Sequence, residues 1–174
     1  MSTTTVPPNE KTAIVPDFGD DESDRKICFI CSKGTLDMAY PALIMANGAA
    51  GEGIETHLFF TFWGMDMINK KTNDDLKFTI LGNPASHMPQ GLGGIPGMTA
   101  VATHMMRKQI ADVDVPEIPE FLTMLHDMGV QLWACRMSVD MMHLKKDDLI
   151  DEVEDIINVS EFMEMSEGAQ IIFV

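Results

Sequence analysis

Cys135 is the residue best placed for chemistry in this chain. It follows the short, mostly apolar run Val130-Gln131-Leu132-Trp133-Ala134, itself preceded by Gly129, and leads into Arg136-Met137-Ser138-Val139-Asp140. A run of that length between a glycine and a turn reads as a buried strand. A cysteine at the carboxyl end of a strand in a parallel sheet stands where such sheets hold ligands and reactive groups. If the next residues open a helix, Ser138 can cap its free N–H groups, the positive helix end favours thiolate over thiol, and Arg136 adds to that bias. The chemistry on offer is nucleophilic attack by sulfur. The same residues also fit a small buried hydrophobe, a common fate of free cysteines.

The other candidates are weaker. Cys28-Phe29-Ile30-Cys31 has the spacing of a dithiol redox site. On a strand, residues three apart point to opposite faces, whereas redox motifs start a helix. Cys28 therefore reads as core and Cys31 as a rim residue able to approach Cys135. The five histidines share no metal-binding spacing, and no metal site is expected. No phosphate-binding loop of the Walker kind, G-x-S-x-G elbow or dinucleotide fingerprint is present, and no cofactor is expected.

The elements that would position Cys135 follow from the chain in order. Residues 1–25 contain Pro7, Pro8, Pro16 and the cluster Asp20-Asp21-Glu22, and read as a disordered acidic tail. Lys26 to Cys31 is a first strand, Ser32-Lys33-Gly34-Thr35 a turn, 36–50 an alanine-rich helix and Thr56 to Phe60 a second strand. Strand, helix and strand of this size form a right-handed crossover unit with parallel strands. That places Ser32–Thr35, Thr61-Phe62-Trp63-Gly64 and Cys135 on one rim, around one crevice. A short helix is expected from Trp63 to Lys71, and a strand from Phe78 to Leu81. The glycine-rich stretch 82–97 reads either as a flap over the cysteine or as a loop ordered by a neighbouring subunit.

Helices are expected around Met98, Val101, Ala102, Met105 and Met106, and from Pro119 to Met128 with Gly129 as its carboxyl cap. Leu149, Ile150, Val153, Ile156 and Ile157 recur at helical spacing, with acidic residues largely opposite, and predict an amphipathic helix. Ser160 caps a last short helix, Gly168 ends it, and Gln170 to Val174 is a terminal strand. Residues 26–174 thus form one α/β domain, with a three-layer, flavodoxin-like (Rossmann-like) parallel sheet carrying helices on both faces.

Against 12 Lys and Arg stand 27 Asp and Glu, a formal charge of −15 over 174 residues. That balance argues against nucleic acid or an anionic membrane as partner. No run approaches the ~18 consecutive apolar residues of a membrane helix. The first residues lack a basic start and an apolar segment, so a cytoplasmic location is expected. Three cysteines argue against a disulfide framework.

Three segments carry a resemblance. Cys135-Arg136-Met137-Ser138-Val139-Asp140-Met141-Met142 resembles the C-x-M-S-x-D-x-M segment of the DsrE/DsrF-like sulfur-relay family, in its peroxiredoxin-like branch. Lys33-Gly34-Thr35-Leu36-Asp37 and Phe59-Phe60-Thr61-Phe62-Trp63-Gly64 match it in the same order. The next position departs from the pattern, with His143 where the family usually has glycine. The resemblance implies that Cys135 carries sulfur as a persulfide or thiosulfonate and passes it to another protein thiol. It further implies a homo-oligomer with TusA-like and rhodanese-like sulfur carriers as partners. For that chemistry Ser32, Lys33, Gly34, Thr35, Arg136 and Ser138 are the candidate donors to an anionic sulfur donor, and Trp63 with Gly64 a wall of the pocket. Two rivals remain, a non-catalytic scaffold subunit and a peroxide-reducing thiol enzyme.

Overall fold

The apolar runs of the sequence become the strands of one parallel sheet: β1 (Lys26–Cys31), β2 (Glu55–Phe60), β3 (Gln131–Cys135), β4 (Val153–Ile157) and β5 (Gln170–Phe173), in the order β4-β3-β2-β1-β5. The computed structural model describes residues 25–81, 91 and 94–174. Nearly all of the acidic amino-terminal stretch and most of 82–97 fall outside these residues, and with them the disordered-tail and flap readings.

The helices are α1 (Leu36–Gly51), α2 (Met98–Ala111), α3 (Ile118–Asp127), α4 (Arg136–Met141) and α5 (Val159–Met165). From β1 to β4 every crossover steps the same way across the sheet. Right-handed connections then put α1, α3 and α4 on one face, and the return step from β4 to β5 puts α5 on the other. The result is the expected three-layer α/β architecture. Its strand order differs from the 2-1-3-4-5 of flavodoxin, and the reversal of winding lies at β4.

Each face has its own core. Phe29, Leu58, Phe60 and Leu132 pack with Leu43 of α1 and Leu122 of α3. On the opposite face Cys28, Phe59, Cys135 and Ile157 pack with Phe162 of α5, whose ring lies 4.5 Å from that of Phe59. The two cores differ in size because four helices contribute to the first and one short helix to the second.

Two expected elements take another form. The segment around Leu149 to Ile157 is not a helix: Leu149 and Ile150 enter the large core from an irregular stretch, and Val153–Ile157 is strand β4. A register irregularity opposite Leu132 and Trp133 brings Val153 and Asp155 to neighbouring partners and skips Glu154. That bulge breaks the period of two, which is why the spacing imitates a helix. Phe78 to Leu81 forms no strand. Phe78 and Ile80 are buried, and the Thr103 hydroxyl of α2 holds the Phe78 backbone, accepting from its N–H (2.9 Å) and lying 3.2 Å from its carbonyl. β2 already has β1 and β3 on its two sides. The expected helix after Thr61 is a 3₁₀ turn, Phe62–Met67.

At the end of α4, His143 adopts the left-handed conformation, φ +53°. The Leu144 N–H donates to the Val139 carbonyl (2.9 Å) and the His143 N–H to the Asp140 carbonyl (3.1 Å), the Schellman pairing that favours glycine. Gly129 fills the same role after α3, at φ +90°. His143→Gly is therefore expected to stabilise the protein by roughly 1 kcal/mol, read as a higher urea midpoint with unchanged slope.

Candidate functional site

Cys135 ends β3 and stands at the N-cap position of α4 without a side-chain capping bond, its side chain in the smaller core and only 3% of the residue exposed. From this point the chain leaves towards one face as α4, whose Val139 joins the large core, while from the neighbouring β4 it leaves towards the other as α5. Parallel sheets open a crevice where adjacent connections part in this way. The crevice is present as an open groove of about 310 Å³, lined by Cys135, Arg136, Met137, Asp140, Asn158 and Val159. Cys135 forms its floor, and the exposed side chains of Met137 and Val159 stand at its mouth.

Asn158 shapes the far wall. Its side chain accepts from the N–H groups of Ser160 (2.8 Å) and Glu161 (3.1 Å), while Glu161 accepts from the Asn158 N–H (2.6 Å). This is a capping box, and it starts α5 beside the cysteine. The cap is thus Asn158, not Ser160. The N-x-x-E pattern is visible in the sequence, and the helical reading of Val153–Ile157 hid it.

The expected donors are distributed along the rim. The Arg136 guanidinium lies along the β4 edge and donates to the Ile156 carbonyl at 2.6 Å. Ser138 is fully buried in the body of α4 and caps nothing. Its hydroxyl accepts from the Phe62 N–H (2.8 Å) and bonds the Thr61 hydroxyl (3.2 Å). This clamp holds Phe62 at φ +46°, a costly conformation for a non-glycine residue, and so fixes the turn that carries the exposed Trp63. The Ser32 N–H and hydroxyl both donate to the Val174 carbonyl at 2.9 Å. Lys33 is exposed beyond the end of β1.

Gly34 and Thr35 line a different depression, of about 340 Å³, with Asp66, Lys71, Thr72 and Lys77. Here burial pushes the Asp66 carboxyl up from its ordinary value. The single crevice expected around the three loops is therefore two depressions, with the Phe62–Met67 turn packed against the loop after β1. Gly64 and Gly34 permit that packing: a Cβ on Gly64 would lie 2.0 Å from the Cys31 carbonyl oxygen, and one on Gly34 would lie 2.2 Å from that of Trp63.

Cys31 does not approach Cys135. It points into the large core on the opposite face, where burial pushes its thiol up to about 12. Cys28 shares the smaller core with Cys135, and its thiol is raised to about 11 by burial first, with Lys26 opposing and Glu55 adding. Both folded thiols hold their protons more tightly than an unfolded cysteine. Their contribution to stability is complete below the unfolded value of about 8.5 and is lost as pH rises through 11 and then 12. The urea midpoint is expected to fall over that window, and Cys31→Ala should flatten the fall.

One network on the sheet escaped the sequence. The Trp133 indole N–H donates to His57 Nδ1 (3.2 Å), so His57 Nε2 carries the hydrogen donated to Glu55 (2.9 Å). Lys26 pairs with the same carboxylate (3.1 Å) and donates to the Met165 carbonyl (3.2 Å). The chain of bonds ties three strands to the end of α5. Its residues come together only through strand register, which spacing does not reveal. Among the described residues no group of three or more His, Cys, Asp or Glu side chains could hold a metal ion, and no helix is long and apolar enough to cross a membrane.

Comparison with known proteins agrees with this fold. The model of the DsrE/DsrF/DrsH-like family matches residues 23–174. The sulfur carrier protein DsrE2 of Allochromatium vinosum is 38% identical over 138 residues, covering 75% of this chain and 86% of that protein. The uncharacterised protein YrkE of Bacillus subtilis is 28% identical over 159 residues, 88% of this chain and 99% of its own. Among solved structures, a protein of unknown function from Methanobacterium thermoautotrophicum, MTH1491, shares the fold with a TM-score of 0.55 at 13% identity, covering 87% of this chain and all of that one. A five-stranded parallel sheet, a cysteine at the end of its third strand and a family match across the whole of it lead to one assignment: the chain belongs to the DsrE/DsrF/DrsH-like family.

Proposed function

We propose that this protein carries sulfane sulfur on Cys135 and passes it to a thiol of another protein. The observation that carries the reading is the place of Cys135, on the floor of the groove where the connections after β3 and β4 part. The name of the relative DsrE2, a sulfur carrier protein, supports it. The chemistry asks little else of the chain. The Cys135 thiolate attacks the outer sulfur of a donor persulfide, an Sγ–S bond forms, the donor S–S bond breaks, and the donor leaves as a thiolate. An acceptor thiolate then attacks the carried sulfur and releases Cys135. Sulfur oxidation is conserved through both steps, so no separate oxidant or reductant is needed. With a donor of the R–S–S–SO3⁻ type the thiolate attacks the sulfur that bears the sulfonate, Cys135 takes up the S–SO3⁻ group, and R leaves as a thiolate.

The partner in this reading is another sulfur carrier, of the TusA-like or rhodanese-like kind that the family implies, and the working form is a homo-oligomer. Arg136, which lines the groove and spends one N–H on the Ile156 carbonyl, is the donor with a charge to offer an anionic group, with Lys33 exposed farther along the rim, while Ser32 and Ser138 hold the surrounding backbone. One observation favours a scaffold without chemistry, the 3% exposure of Cys135. Intact mass after incubation with polysulfide or tetrathionate separates the two. A mass gain that dithiothreitol removes supports the carrier. No gain from either reagent, on protein whose thiols are shown to be reduced, leaves the scaffold.

A further inference from the structure

Two charged side chains line the groove at Cys135, and they are not equivalent. Arg136 and Asp140 stand four residues apart on α4, the spacing at which a helix brings an ion pair together. The Arg136 guanidinium is turned instead to the β4 edge, where it donates to the Ile156 carbonyl. Among the described residues nothing holds the Asp140 carboxylate, which is exposed and lines the groove.

The neighbouring acids are engaged by backbone. Asp155 accepts from the Ile156 N–H (2.7 Å) and Glu161 from the Asn158 N–H (2.6 Å). They keep their charge all the same, and Arg136 is the one cation among the described residues that line the groove. The rim is apolar as well: Met137 and Val159 are exposed there, and Met141 and Met163 are exposed one turn farther along α4 and α5. A small sulfur anion gains nothing from such a rim and is repelled by its acids. A protein surface that brings an apolar contact and a cation gains from both.

We infer that Asp140 sets the specificity of the groove by pairing with a lysine or arginine side chain beside the reactive cysteine of the partner protein. The preferred sulfur donor or acceptor is then a protein cysteine flanked by a basic residue. Inorganic sulfur anions still load Cys135, but more slowly. Arg136 meets the anionic sulfur as it arrives or departs, and Asp140, one turn along α4, meets the fixed cation. The inference rests on the carrier reading of Cys135 and adds to it the charge of the partner.

The test is the rate at which Cys135 forms mixed disulfides with three small reagents: cystamine, which carries ammonium groups, dithiodipropionate, which carries carboxylates, and bis(2-hydroxyethyl) disulfide, which is neutral. In each case the thiolate attacks one sulfur of the reagent, a new S–S bond forms, and the other half leaves as a thiolate. The ratio of variant to wild-type rate cancels each reagent's own reactivity. Asp140→Asn is expected to slow cystamine by roughly three- to tenfold and to speed dithiodipropionate by a similar factor, and the split should fade at high salt. The neutral reagent should be unaffected. Asp127→Asn removes a charge at the opposite, amino-terminal end of β3 and should leave all three ratios near one. Three ratios that move together in Asp140→Asn would mean a change in the thiol itself, and the same split in Asp127→Asn would assign the preference to overall charge. Either result overturns the role of Asp140 and leaves the carrier reading intact. A wild-type Cys135 that reacts with none of the three reagents overturns both.

Discussion

Cys135→Ser is expected to abolish all reversible sulfur loading, from one adduct per subunit to none, while leaving the fold intact. Serine is close to cysteine in size and leaves no cavity in the smaller core, so the fold should survive with a loss of about 1–3 kcal/mol from the buried hydroxyl. Cys28 and Cys31 remain in the variant as internal controls. Their thiols are raised to about 11 and about 12, and neither residue is more than 2% exposed, so neither should substitute for the missing nucleophile. Reversibility is the essential control. A sulfinic acid adds nearly the mass of one sulfur atom but survives dithiothreitol, so only an adduct removed by the reductant counts as cargo. Loading that persists in Cys135→Ser would move the reactive thiol elsewhere and refute the assignment.

Gly64→Ala should be the most damaging single-methyl change in the described fold, lowering stability by roughly 3 kcal/mol or more. The added carbon would lie 2.0 Å from the Cys31 carbonyl oxygen and 2.7 Å from its carbon. Both are backbone atoms of a central strand and cannot rotate aside. The same carbonyl accepts the Thr61 N–H at 3.0 Å, so displacing it also breaks the bond that ties the end of β2 to β1. The displaced turn carries Phe62, whose N–H bonds Ser138 in the cysteine's own helix. Urea denaturation should show the loss directly. A shift below 1 kcal/mol would mean that the turn can slide without cost, and that Gly64 serves something other than packing.

The sequence made β1, β2 and β3 visible because interior parallel strands are buried on both faces and read as continuous apolar runs. It placed Cys135 at the right end of the right strand for the same reason. β4 was not legible, since the bulge at Glu154 spoils its alternation and its acidic residues mimic the wet side of a helix. With β4 misread, Asn158 and the groove between β3 and β4 were hidden as well. The three motifs did reach one rim, yet their glycines serve backbone contact between neighbouring loops, which spacing alone cannot distinguish from ligand binding. His143 is the converse case. A departure from the family pattern, seen as a single letter, turns out to mark a left-handed residue that glycine would occupy without strain.

The near-complete burial of Cys135 has a consequence for traffic through the site. A bare thiol at the floor of the groove is sheltered from stray oxidants and from collision with other thiols. Attaching one sulfur lengthens the side chain by about 2 Å, the length of a sulfur–sulfur bond, in a residue that lines the groove together with Met137 and Val159. On the proposed carrier reading, a filled subunit would show its outermost sulfur to a visitor, and an empty one shows almost nothing. Such a site distinguishes full from empty by reach alone, with no movement of the sheet that holds it.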